Sequence, residues 1–284
     1  MTEFSGKAFE FIQMLARELS GGNFVFPTSV EVTLRIRRML DDTDVPVERV
    51  AAVIGLEPVL AGQIIRLANS AAWARSGPPV RDVRTAVTRL GFASVRNLAL
   101  AVAMRQIAQA GGSGLLSDRL HELWHHSLWV AAMARTLAQT RTRLNPEEAM
   151  LCGLLHDIGL FYVFARAAAH PELFTDEATL DTIAFEWHSG VGHAILDAWH
   201  LPEDMILAVE QHEIHQIPRF GSPDLSDVVF VADQLSAQKR IRQANGPDWT
   251  LPSMERLGLD ASQLESLQAS ADQLAQEMGR GLAF

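Results

Sequence analysis

His126, the adjacent pair His156 and Asp157, and Asp233 are the residues of this chain best suited to hold a cation, with His188 and His212 nearby in sequence. Imidazole nitrogens and carboxylate oxygens suit Fe, Mn, Zn, Ni or Mg rather than a soft thiolate site. An ion held in that way lowers the pKa of a bound water and polarises a phosphoryl oxygen. The alternative is a satisfied core pair, in which Asp157 or Asp233 accepts hydrogen bonds from His156 or His126. A buried carboxylate must be paired or bound to a metal either way. The residues call for no organic cofactor.

The elements that must position these groups read as helices. The run from Ala149 to Ala165 carries no charged or strongly polar side chain except His156 and Asp157. Asn145 can cap it, Pro146 suits the first turn, and Glu147 and Glu148 complement the dipole. The pattern predicts one helix over 146–168 with Leu151, Leu154, Leu155, Ile158 and Tyr162 on one face. Leu160, Val163 and Phe164 lie on the other, so the helix is apolar all round and belongs in a core. With His and Asp at its centre and a length near the lower limit, it is a poor membrane span. One difficulty stands: neighbouring helix residues face different directions, so His156 and Asp157 share an ion only across the boundary of their faces.

His126 lies roughly 60° from the centre of the apolar stripe of a helix over 116–140, while His125 points nearly away. Asp233 sits in the apolar helix VVFVADQL within 223–242. His188 lies in a helix over 177–199, four residues before Gly192, which lets another helix come close. His212 ends a helix over 202–215.

Strand alternation is absent, and the fold class is all-α, in two packed lobes. Residues 1–25 form an N-terminal helix with Ala8, Phe11, Ile12, Leu15 and Leu19 in register. A capping pair Thr28 and Glu31, a start at Asp44 and a start at Pro58 mark further helices. Gly91 ends a short helix, and another runs over 93–109. Gly111, Gly112, Ser113 and Gly114 make the clearest break, so the first lobe ends near 111–114 and the second covers 115–240. A tail over 241–284 begins with the loop Asn245, Gly246, Pro247. It ends in a helix with Leu264, Leu267, Ala271, Leu274 and Met278 on one stripe.

The 284 residues are 48% hydrophobic with a formal net charge of −10 and a pI near 5.4. Such a chain repels phosphate backbones, which excludes broad electrostatic binding of nucleic acid. The clusters Arg35, Arg37, Arg38 and Lys239, Arg240, Arg242 read as surface helix charge. A single Cys152 within the buried helix makes no disulfide framework, and no secretory signal is visible. A cytoplasmic protein off the membrane is the expectation.

The pattern His126, His156–Asp157, Asp233 resembles the HD superfamily of metal-dependent phosphohydrolases. More specifically the chain resembles the HD-related output domain, HDOD, a regulatory branch in bacteria. Carrying this are Phe26–Pro27, Glu57 to Leu60, Arg66 to Ser70 (RLANS), Ala86 to Gly91 (AVTRLG), and Trp124 to Ser127. They continue through LLHDIG and Glu186 to Pro202, so the domain spans 26–240. The resemblance implies that His126, His156, Asp157 and Asp233 hold one ion and that His188 and His212 could hold a second. It also implies a signalling module that transmits its state to a protein partner or a second copy. Three departures from HD-GYP phosphodiesterases bear on activity. Leu160 stands where they carry Lys, His212–Glu213 where they carry two histidines, and a Gly-Tyr-Pro signature is missing. The expectation is therefore little or no hydrolysis. The rival is a metal-dependent phosphohydrolase or phosphodiesterase acting on nucleotides or cyclic dinucleotides.

Overall fold

The computed structural model describes residues 6–22, 24–26, 28–42, 44–70, 78–111, 114–173, 177–215, 221–240 and 247–282. These residues form helices and turns, and no strand occurs among them, in keeping with the all-α expectation. The α-helices are α1 Gly6–Gly21, α2 Thr28–Met39, α3 Val47–Ile54, α4 Pro58–Ala68, α5 Val83–Ala108, α6 Leu115–Arg141 and α7 Pro146–Leu155. They continue with α8 Ile158–Ala169, α9 Glu177–Ala198, α10 Glu203–Glu210, α11 Leu225–Arg240, α12 Pro252–Arg256 and α13 Leu264–Leu282.

The chain divides into two compact units, residues 1–25 with 108–276, and residues 26–107 with 277–284. The sequence break sought at Gly111 to Gly114 falls partly on Gly112 and Ser113, which lie outside the described residues, as do Asn245, Gly246 and the Pro27 that precedes α2. Helix α1 and most of the tail group with the second half of the chain.

In the unit formed by 26–107 and 277–284, the RLANS and AVTRLG segments meet. Asn69 Nδ2 donates to the Val80 carbonyl and the Val80 N–H donates to Asn69 Oδ1, both at 2.8 Å. Arg89 Nη1 donates to the Ala68 carbonyl at 3.2 Å, at the C-terminal end of α4. Arg89 thus satisfies a carbonyl that the end of α4 leaves open, and Asn69 ties that end to Val80. Helix α5 is kinked at Gly91, whose φ of 78° and ψ of 159° are open to glycine.

The unit formed by 1–25 and 108–276 is built around α6 and α7. Asn145 Oδ1 accepts from the Glu147 N–H at 3.0 Å and Pro146 opens α7, as expected. A Cβ on Gly153 would sit 2.9 Å from the Val130 carbonyl oxygen, so α7 lies against the α6 backbone there. Helix α11 is capped by Asp224 and Asp227, each accepting the other's N–H at 3.0 and 3.1 Å. The long helix expected over 146–168 is interrupted: α7 stops at Leu155 and α8 starts at Ile158. The stretch Pro146–Ala169 is long and apolar enough to cross a membrane by composition, yet 72% of its apolar window is buried inside the protein.

Helix α1 is fixed to this unit by a polar clasp on α8. Tyr162 Oη donates to Glu18 at 2.6 Å and accepts the Val25 N–H at 3.0 Å. Arg166 Nη2 reaches the other Glu18 oxygen at 2.7 Å, with both side chains largely buried. Breaking a largely buried pair from one side leaves the partner uncompensated. Glu18→Ala should therefore cost about 2–4 kcal/mol, and Tyr162→Phe about 1 kcal/mol. Urea unfolding of both variants checks this, and equal stability of Glu18→Ala and the unmodified chain would dissolve the clasp.

Candidate metal centre

The break between α7 and α8 resolves the difficulty of adjacent residues facing apart. Asp157 leaves helical geometry at φ −100° and ψ 18°, in the sparsely occupied bridge region. With the helix interrupted there, His156 and Asp157 both face the same buried pocket. His126 comes from α6, His188 from α9, His212 from the turn after α10, and Asp233 from α11.

The donor atoms converge. His126 Nε2 and His156 Nε2 are 3.0 Å apart. Asp157 Oδ2 is 3.1 Å from His156 Nε2 and 3.4 Å from His126 Nε2. Asp233 Oδ1 is 3.1 Å from His126 Nε2 and 3.7 Å from His156 Nε2. The other oxygen of Asp157 lies 3.4 Å from His212 Nε2. Two overlapping trios result, His126–His156–Asp157 and Asp157–His188–His212, each with its donor atoms within 4.8 Å of one another. The rings continue edge to face, with centroids 4.9 Å apart for His126 and His156, 5.0 Å for His156 and His212, and 5.4 Å for His188 and His212.

The outer nitrogens fix the rings. His156 Nδ1 donates to Gly153 O at 2.8 Å, His188 Nδ1 to Phe185 O at 2.8 Å, and His212 Nδ1 to Val209 O at 2.6 Å. A carbonyl only accepts, so each Nδ1 carries the proton and each neutral ring turns its Nε2 lone pair inward. His126 Nδ1 meets Ser236 Oγ at 2.8 Å. Bare imidazole nitrogens 3.0 Å apart beside two carboxylates repel unless a cation, proton or metal, lies among them. Metal bonds of about 2.0–2.2 Å put neighbouring donor atoms about 2.9–3.6 Å apart, so the donors fit a divalent ion. His126, His156, Asp157 and Asp233 are the set that would hold it.

The pocket's own charges point the same way. Burial pushes the His156 imidazole down, but the touching Asp157 carboxylate outweighs this and raises it to about 9. Burial raises Asp157, and the surrounding His156, His212 and His126 more than reverse this, holding it well below the carboxylate range. Burial lowers His126. His188 is also opposed by burial, yet is raised by Glu213 and Asp157.

From the sequence Glu213 stands only as a departure from a His-His pair, and Ser236 was not singled out. Glu213 Oε2 lies 3.4 Å from His188 Nε2, bringing a carboxylate to the second trio. Ser236 is three residues from Asp233 on α11, a helical spacing that places both on one face. Gly159, the last residue of LLHDIG, also has a role in packing. A Cβ there would overlap the His188 carbonyl and come within 2.9 Å of Gly192 N. Gly192 has more room, with its nearest neighbour at 3.4 Å. The close approach expected near Gly192 is therefore set mainly by Gly159.

A groove of about 520 Å³ opens beside the centre, lined by Leu160, Phe164, Phe185, His188, Asp181, Glu186 and Glu213, with Thr182 and Ala184. No Lys or Arg is among these residues. Arg119 is close by but engaged, paired with Asp181 and Glu177.

The HDOD domain model matches residues 26–215, more than half of the chain. That span ends before Asp233 and Ser236. A protein of Treponema pallidum (strain Nichols), named only as uncharacterized, is 27% identical over 211 residues, covering 69% of this chain and 39% of that protein. The chain thus spans well under half the length of that relative. Among solved structures, a candidate metal-dependent phosphohydrolase of Shewanella amazonensis SB2B is 27% identical with a TM-score of 0.65, covering 94% of this chain and 100% of that one. An HDOD domain protein of unknown function from Geobacter sulfurreducens is 26% identical with a TM-score of 0.59, covering 92% and 97%. A candidate signal transduction protein from Marinobacter aquaeolei VT8, at 20% identity, a TM-score of 0.62 and 99% and 67% coverage, shares the fold.

Two expectations follow from the centre. Without a metal, His156 at about 9 lies above the ordinary histidine value near 6.5. Its stabilising contribution is then complete below about pH 6.5 and lost as pH rises through 9. Asp157 contributes above about pH 4 and loses its contribution on acidification. Metal-stripped protein should accordingly melt at a lower temperature at pH 9 than at pH 6, while added Mn2+ should protect more at pH 9, since ligation needs neutral imidazoles. A flat melting temperature in the stripped protein would contradict the His156–Asp157 pair. Second, Gly159→Ala should cost about 3 kcal/mol or more, because backbone must move. Gly190→Ala, with nothing within 4 Å of the added Cβ, should be neutral or slightly stabilising. Equal effects of the two substitutions in thermal melts would remove the packing role of Gly159.

Proposed function

The chain belongs to the HDOD family, and from that premise we propose that it is a bacterial signal-transduction module that keeps an HD-type metal centre without hydrolysing phosphoesters. The observation that carries this reading is the groove beside His188. Its walls are apolar at Leu160, Phe164 and Phe185 and acidic at Asp181, Glu186 and Glu213. A phosphoester brings negative charge that phosphoryl transfer must neutralise at the equatorial oxygens. These side chains would repel it, and the engaged Arg119 does not offset them. The net charge of −10 adds to the repulsion of nucleic acid.

On this reading His126, His156, Asp157 and Asp233 hold one ion, and His188, His212 and Glu213 border a second position that shares Asp157. The ion supplies charge compensation and ties α6, α7, α8 and α11 together at one point. The output goes to a protein partner or a second copy of the chain, in the cytoplasm.

A second reading has its own support. The donor set is complete, and the Shewanella protein, 27% identical, is named a candidate metal-dependent phosphohydrolase. A bound ion would then supply Lewis acidity and an activated water. No residue of this chain stands out as a general acid for the leaving group.

The two readings separate in one experiment. The purified chain is assayed for metal by elemental analysis, loaded with Mn2+ or Fe2+, and tested on cyclic dinucleotides and nitrophenyl phosphoesters. Bound metal with no turnover is expected. Turnover abolished by His156→Ala would make the protein an enzyme.

A further inference from the structure

Helix α6 also carries a pair of imidazoles on its exposed side. His121 and His125 are exposed and one turn apart, and their Nε2 atoms lie 3.1 Å from each other. Their ring centroids are 4.6 Å apart, edge to face. Asp118 and Glu122, both exposed, precede them at three-residue spacing, which places carboxylates one turn away on the same side. None of these residues belongs to the buried centre, whose α6 ligand is the next residue, His126.

We propose that His121 and His125 form a surface site for a borderline divalent ion of the Ni2+, Zn2+ or Cu2+ class. Two cis ligands at about 2.0–2.1 Å from an ion stand about 2.9–3.4 Å apart, and the observed separation lies in that window. Neutral imidazole favours these ions over Mg2+ or Ca2+, which prefer oxygen. The i,i+4 spacing holds both rings on one face of a helix anchored by its buried stripe, so little ordering remains to be done on binding. The two imidazoles are the protein ligands, and the remaining positions face solvent. The ion at this site exchanges freely with the medium. An ion in the buried centre, enclosed by helices, leaves slowly. One helix thus presents two metal positions of different accessibility, at the neighbouring residues His125 and His126. The surface site stands independently of any activity or ion at the buried one.

The test uses the full chain without an affinity tag. It is dialysed against Ni2+, the bound ion is counted by elemental analysis, and its release to excess EDTA is followed in time. A rapidly released ion is expected in the unmodified chain and in His193→Ala, which removes a half-buried histidine of α9. That fraction should vanish in His121→Ala and in His125→Ala, with any slowly released ion unchanged. Both positions are exposed, and circular dichroism verifies that the helices persist. A rapid fraction that survives either substitution, that also vanishes in His193→Ala, or that is missing from the unmodified chain would overturn the site.

Discussion

Two carboxylates and four imidazoles cannot share a dry pocket without positive charge among them, and the second half of this protein is organised around that constraint. Each ring is fixed from behind, three by backbone carbonyls and one by Ser236, so its inner nitrogen has one direction to face. The carboxylate of Asp157 sits between the two trios and serves both. Proton and metal are alternative solutions to the same electrostatic problem, and the donor atoms are spaced so that either would fit. Packing follows from this arrangement. Gly153 lets α7 touch α6, and Gly159 lets the turn after Asp157 touch the His188 carbonyl. Neither approach is available to a residue with a side chain.

Among the described residues that line the groove none is basic, and this gives the centre its character. In a phosphohydrolase an ion handles part of the developing charge, and side-chain cations handle the rest. Here Leu160 follows the LLHDIG turn and lines a groove whose polar members are mostly acidic. The same donor cluster therefore supports opposite functional readings depending on its surroundings. The charge of the groove is what the proposed reading rests on, since the ligand atoms alone suit both.

The helices were legible because apolar residues recur with helical period and because Asn145, Pro146 and Gly91 mark ends clearly. The inward turn of His126 and the outward turn of His125 were legible for the same reason. The interruption at His156 and Asp157 was not. Both halves of that segment are apolar all round, so periodicity carries no mark of a break, and the break is held by side-chain contacts from other helices. Glu213 and Ser236 were hidden because their roles exist only after distant elements meet. The stripe of Ala8, Phe11 and Leu15 showed that α1 packs on something. Its partner was set by Glu18, Tyr162 and Arg166, which are far apart in sequence and ordinary taken singly. The apolar stripe of the tail raised the same question, and Trp129 Nε1 donating to Asp272 at 2.8 Å answers it for part of α13.

Helix α8 is tethered at both ends. Its first turn follows Asp157 in the metal centre, and its later turns grip α1 through Tyr162 and Arg166. Free energies of binding are reciprocal in such an arrangement. If an ion prefers one setting of α8, it strengthens or weakens the hold on α1 by a given factor, and detachment of α1 changes the affinity for the ion by that same factor. Under that condition a twelve-residue helix would make metal occupancy and the seating of the N-terminal helix two measures of one equilibrium.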